Sequence, residues 1–180
     1  MNPSRLTENV CDVLAEQQIK LGRTDAAVSL YYPLSSLNRF FGADDDAAAM
    51  QARLSDWADT LSDTLGVPAA AHAGDMFSLT FPPKAQTYIE AHAAKNDFLR
   101  ALVEAVSRHG TTMEDVLAVF HRYAEHVAVE PKTDRDFDVL AYFPDGVPDD
   151  YRYCLTDEGC HIIYHRFTAE DYFDFYPEDR

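Results

Sequence analysis

Lysine is scarce in this chain, and the charge balance shows it. Lysine and arginine together number 15 against 31 aspartates and glutamates, a formal net charge of −16. A surface this acidic repels phosphate backbones and anionic lipid headgroups, so neither nucleic acid nor a membrane is an expected partner. Cysteine is sparse too. Cys11, Cys154 and Cys160 form an odd set at wide spacing, which argues against a disulfide framework and fits a reducing cytoplasm. No apolar run approaches the length of a membrane span. The N-terminus, MNPSRLTENVCDVL, lacks a basic region followed by an apolar block, so no signal peptide is expected. There is no G-x-x-x-x-G-K-S/T, no G-x-G-x-x-G, no H-E-x-x-H and no G-x-S-x-G, so the common phosphate, dinucleotide, zinc-protease and serine-hydrolase signatures are missing. No repeat or low-complexity segment interrupts the chain, and no cofactor is expected.

What is present is a globular composition. Hydrophobic residues make up 47% and aromatics 12% of 180 residues, enough for one domain, 1–180, with its own core. Asn2-Pro3 reads as an N-cap followed by proline at the first helical position. Leu6, Val10, Val13, Leu14, Gln17 and Leu21 then fall on one helical stripe that Gly22 ends. Val28 to Tyr32 reads as a short extended segment. Pro33 opens a brief helix that Gly42 closes. Asp44-Asp45-Asp46 reads as a cap for a helix whose core residues are Met50, Leu54, Trp57, Leu61 and Leu65. Ala69 to Asp75 reads as a loop. Phe77, Leu79 and Phe81 alternate as a short strand, and Pro82-Pro83 starts a helix with Ala85, Tyr88, Ile89 and His92 on one side. Asn96 caps the next helix, and Thr111 with Glu114 reads as a capping box for the one after it. Phe137 to Phe143 reads as a strand, and a short aromatic helix, Tyr172 to Tyr176, ends the chain. The order predicts an α+β fold: a mainly helical body, a small antiparallel sheet near the C-terminus and a C-terminal β-hairpin. The helix pair on either side of His109-Gly110-Thr111, followed by strands, gives that part a winged-helix-like layout.

The chemistry-bearing side chains crowd into the hairpin, DDYRYCLTDEGCHIIYHRF, residues 149–167. With Glu158-Gly159 as central turn residues, Leu155 faces Ile162 and Tyr153 faces Tyr164. Cys160, His161 and His165 are the candidate catalytic residues, since thiolate and imidazole serve as nucleophile, base or zinc ligands. Two features weigh against them. His161 and His165 are four apart on a strand, which separates their Cβ atoms by roughly 13 Å. Cys160 and His161 are strand neighbours that point to opposite faces. No metal site is therefore expected. Tyr151, Tyr153, Tyr164 and Arg166 are the candidate binding residues; the dense aromatics around them read first as core and cross-strand pairs, and otherwise as an exposed patch rimmed by acids.

The run Pro148-Asp149-Asp150-Tyr151-Arg152-Tyr153-Cys154, then Glu158-Gly159-Cys160-His161-Ile162-Ile163-Tyr164-His165-Arg166-Phe167-Thr168, then Glu170-Asp171-Tyr172, resembles the C-terminal signature of an uncharacterised bacterial domain-of-unknown-function family, DUF family 3877. Leu30-Tyr31-Tyr32-Pro33-Leu34-Ser35-Ser36-Leu37 is similar to that family's N-terminal part. The resemblance covers nearly the whole chain, implies a small bacterial protein, and carries no catalytic residue across.

The functional expectation is a soluble, cytoplasmic, non-catalytic module that binds another protein. Two alternatives stand beside it. One is a small metal-dependent or cysteine/histidine enzyme built on the hairpin. The other is an acidic mimic of nucleic acid, which requires its carboxylates to form one stripe.

Overall fold

The computed structural model describes residues 3–22 and 25–180. The fold is α+β. Its internal contacts group into two compact units, Met1–Lys95 and Asn96–Arg180. The N-cap expected at Asn2 lies outside the described residues. Among the described residues, no helix is long and apolar enough to cross a membrane.

The first unit begins with α1 (Pro3–Leu21), where Leu6, Val10 and Leu14 are fully buried. Leu21 shares their spacing but is 84% exposed, so the core stops short of the helix end. β1 (Val28–Pro33) leads into α2 (Leu34–Phe41), which ends on Gly42 in the left-handed region. Asp46 caps α3 (Ala47–Asp59) by accepting from the Ala49 N–H, while Asp45 pairs with Arg53 at 2.6 Å. The aspartate run thus serves helix entry, as its position predicts. Helical bonding stops at Asp59, yet Leu61 and Leu65 stay buried through the turns that follow.

A three-stranded antiparallel sheet then forms, in the order β1–β3–β2, with β2 at Ala69–Ala73 and β3 at Met76–Phe81. The sequence places a loop where β2 lies. AAAHA has low strand propensity and a mostly exposed pattern; pairing with β3 through the Gly74-Asp75 turn holds it extended, and Gln51 on α3 donates to the Ala70 carbonyl at 3.0 Å. The chain therefore has two sheets where one was expected. Leu30, Tyr32, Phe77, Leu79 and Phe81 turn inward to meet α1, α3 and α4 (Pro83–His92). Trp57 stands edge-on to Phe81, and its indole N–H donates to Thr7 Oγ1 at 3.1 Å. His92 is exposed and stacked on Tyr88.

The second unit pairs α5 (Asp97–Val106) with α6 (Met113–Tyr123). Asn96 caps α5 as expected. The capping box of α6 sits one residue later than the sequence suggests: Thr112 is the N-cap and Asp115 its partner. Thr112 and Asp115 fill those roles because Thr111 turns its hydroxyl back to the Ala105 carbonyl. Four strands follow as an antiparallel meander: β4 (Ala128–Pro131), β5 (Val139–Tyr142), β6 (Arg152–Asp157) and β7 (Ile162–Phe167). α7 (Ala169–Phe175), capped by Thr168, and a final turn at Pro177–Asp179 complete the chain.

β6 is buried on both faces. Tyr153 meets Phe98 and Phe120, whereas Cys154 joins Phe137, Leu140 and Tyr172 beneath α7. The register between β6 and β7 differs from that of a two-residue turn. Leu155 faces Tyr164, Tyr153 faces Arg166, and Asp157 faces Ile162. Residues 158–161 form a four-residue connection, closed by Glu158 N–H to His161 O at 3.0 Å and by Gly159 N–H to the Asp157 carboxylate at 2.7 Å. A shift of two keeps the paired residues of β6 and β7 on their predicted faces.

Candidate functional site

The longer connection changes the chemistry of its residues. Cys160 and His161 precede β7 and do not alternate on a strand. Cys160 Sγ lies 3.1 Å from His161 Nδ1, and His161 Nε2 lies 3.1 Å from Glu158 Oε2. The expectation that the two neighbours point apart is therefore corrected. The imidazole thus lies between a thiol and a carboxylate, within hydrogen-bond reach of both. His165 takes no part. It is exposed on β7, opposite Cys154. Among the described residues, no group of three histidine, cysteine or acidic side chains is placed to hold a metal ion.

The three cysteines differ in kind. Burial, with Asp136 adding to it, pushes the Cys154 thiol up to about 12. Burial raises Cys11 as well. Cys160 is exposed.

The candidate binding tyrosines are core residues. Tyr153 is fully buried and donates to Asp149 at 2.7 Å; burial pushes its ionisation far up. Tyr151 and Tyr164 are each 8% exposed. The Arg166 guanidinium covers the Tyr151 ring at 4.0 Å, which closes rather than opens that surface.

Sequence reading missed a polar cluster beneath α7. Asp179 accepts from the Tyr172 hydroxyl, from Lys132 Nζ at 2.9 Å and from Arg135 Nη2 at 3.1 Å. Those hydrogen bonds, Tyr172 first and Lys132 next, hold its carboxyl down at about 2 against the desolvation that opposes them. Burial works against the Lys132 charge, but hydrogen bonds to Asp179 and Glu130 outweigh it and raise its pKa. The sequence signal is weak: Lys132 and Arg135 are interleaved with Asp134 and flanked by Glu130 and Asp136, so nothing singles them out as partners of Asp179.

The other feature missed lies in the first unit. One face of its sheet is outward and carries Ser29, Tyr31 and Pro33 from β1, Met76, Ser78 and Thr80 from β3, and Ala69, Ala71 and Ala73 from β2. No charge occurs among the nine, in a chain of net charge −16. Tyr31 is 69% and Met76 49% exposed. Alternation across Ala69–Asp75, had it been read as a strand, would have shown this face.

An α+β chain with these two features is of a class that composition alone did not narrow. A family model described as "Domain of unknown function, E. rectale Gene description (DUF3877)" matches residues 3–176. The chain belongs to this family, and the resemblance read from the sequence holds. No curated protein and no solved structure matches it.

Proposed function

We propose that the protein works by binding another protein, that the contact is the uncharged sheet face of the first unit, and that its occupant is a second copy of the chain. The carrying observation is the absence of charge across that face. Two copies meeting elsewhere would bring like charges together, which costs free energy. A basic partner would engage carboxylates instead of avoiding them. Nine residues a side fall short of the roughly 20–30 of a standard interface, so weak association is expected. Sedimentation across a concentration series tests this. The natural chain is expected to dimerise, more strongly as salt screens the net charge. Ala71→Glu is expected to raise the dissociation constant at least tenfold, and Ala71→Ser to leave it unchanged. A natural chain that stays monomeric at the highest concentration, or an Ala71→Glu chain that dimerises equally well, sinks the reading.

Other observations support this choice. Carboxylates at Asp46, Asp115, Asp149, Asp157, Asp171 and Asp179 cap helices, close turns or enter buried networks. Part of the acidity is thus structural, which favours binding by the neutral face over mimicry of nucleic acid. The helix pair followed by strands supports a winged-helix-like layout used as scaffold. As a DNA reader it is poor, because α6 sets Glu114 and Asp115 against His121 and Arg122.

A second reading rests on the thiol–imidazole–carboxylate chain at residues 158–161. Here Cys160 is a nucleophile: its proton passes to His161 Nδ1, sulfur bonds an electrophilic carbon, and the imidazolium returns the proton to the leaving group while Glu158 steadies it. Alkylation by iodoacetamide at pH 7, followed by peptide mass spectrometry, is expected to label Cys160 far ahead of Cys11 and Cys154. His161→Ala is expected to slow that labelling several-fold at pH 7. Equal rates at pH 7 would remove the dyad from consideration.

A further inference from the structure

We infer that the cleft between α5 and α6 is a binding site for a small organic anion, a carboxylate or phosphate ester with a short apolar body. The inference is independent of the self-association proposed above, which uses the other unit. The cleft holds about 340 Å³, at the small end of the ~300–1,000 Å³ of ligand sites. Alanines on the facing helices leave this space: Ala101 and Ala105 on α5, Ala118 on α6. They supply the apolar part of a lining that is otherwise mostly polar. Arg108, His109 and Arg122 stand around it.

The charges decide what fits. Two carboxylates also line the cleft: Glu104 is charge-paired, whereas Asp115 is held by neutral donors and keeps its charge. Glu104 pairs with Arg108 on its own helix. Asp115 accepts from the Thr112 N–H at 3.0 Å and from its hydroxyl at 2.8 Å. Arg122 and His109 have no hydrogen-bond or ion-pair partner among the described residues. An uncommitted guanidinium beside a concave floor, in a chain of net charge −16, offers a fork of donors that matches a carboxylate or phosphate. A shallower depression lined by Leu117 and His121 shares Ala118 and Arg122, so the same arginine serves the mouth of both.

The end wall is already in place. Gly110 has φ +79°, a conformation that suits glycine, and its N–H donates to Cys160 O at 2.9 Å. Thr111 donates to Ala105 O at 2.7 Å. The His109-Gly110-Thr111 turn is thus fixed at both sides before any ligand arrives, which reduces the ordering cost of binding.

The test is titration of the full chain, followed by amide NMR shifts, with four probes: hexanoate, hexyl phosphate, inorganic phosphate and neutral hexanamide. Hexanoate or hexyl phosphate is expected to shift the α5 and α6 amides around the cleft, and the tighter of the two names the headgroup. Hexanamide is expected to bind at least tenfold more weakly. Arg122→Gln is expected to weaken the anion at least tenfold, and Arg100→Gln, on α5 outside the cleft, to leave it unchanged. Shifts by inorganic phosphate equal to those by hexyl phosphate would remove the apolar body from the proposal. Equal binding of hexanamide, equal binding by Arg122→Gln, or shifts spread away from the cleft would overturn it.

Discussion

Phe98→Ala is expected to destabilise the protein by about 3–5 kcal/mol, the range for emptying a buried aromatic site. Phe98 is 1% exposed, and its ring meets Phe143 at 4.9 Å, Phe120 at 5.0 Å, Tyr153 at 5.6 Å and Tyr123 at 5.8 Å, all edge-on. Two helices and two chain segments of the second unit meet at this ring. Those neighbours interlock with one another, so the void cannot collapse without moving several rings, which puts the cost high in the range. Denaturant unfolding followed by circular dichroism measures the loss. Phe98→Leu keeps most of the volume and is expected to cost under about 1.5 kcal/mol. A loss below about 1 kcal/mol for the alanine variant would mean that the cluster does not carry the second unit's core.

The same experiment bears on domain organisation. Trp57 is the only tryptophan and lies in the first unit. Its fluorescence follows that unit, while far-ultraviolet dichroism follows both. A Phe98→Ala chain whose tryptophan transition shifts with the dichroism unfolds as one cooperative body. A tryptophan transition that stays in place assigns separate stability to each unit.

Much of this architecture was legible because local chemistry and tertiary packing agree. Met50, Leu54, Trp57, Leu61 and Leu65 repeat at helical spacing, and all five are buried. Pro33 and Gly42 bracket α2 as their backbone preferences require. The failures have physical causes. β2 is a strand because β3 pairs with it, and pairing leaves no trace in AAAHA itself. The β6–β7 register depends on a loop-length choice of two or four residues, which Asp157 and Glu158 settle through hydrogen bonds that the sequence does not announce. That choice also moved Cys160 and His161 off the strand and brought them together. The density of aromatics near the hairpin reads first as core, and Tyr151, Tyr153 and Tyr164 are buried, Tyr153 against Phe98 on α5 and Phe120 on α6. Only residues 93–96 separate α4 from α5, with no glycine- or proline-rich linker.

Asp179→Asn is expected to cost about 2 kcal/mol at pH 7, the scale for hydrogen bonds made by a charged group. The substitution keeps the shape and removes the charge that three donors share. Lys132 and Arg135 would then face a neutral amide while their side chains remain only 14% and 11% exposed. The effect carries a pH signature whose sign is fixed. The folded carboxyl titrates at about 2, below its ordinary 3.8, first because of Tyr172 and then because of Lys132. A depressed folded value means that the unfolded chain takes up the proton first as pH falls. The contribution is therefore complete above about pH 4 and is lost as pH drops from there toward 2. Natural and Asp179→Asn chains are expected to differ most at neutral pH and to converge near pH 2. Tyr172→Phe removes the first donor but leaves Lys132, so its acid limb is expected to move toward higher pH without vanishing. Urea unfolding at intervals between pH 2 and pH 7 distinguishes this from a packing effect: a difference that stays constant with pH would show that Asp179 acts by shape and not by charge. If the curves converge, the tail is held down by an ionised carboxylate, and the turn that carries Lys132 and Arg135 is the element that receives it.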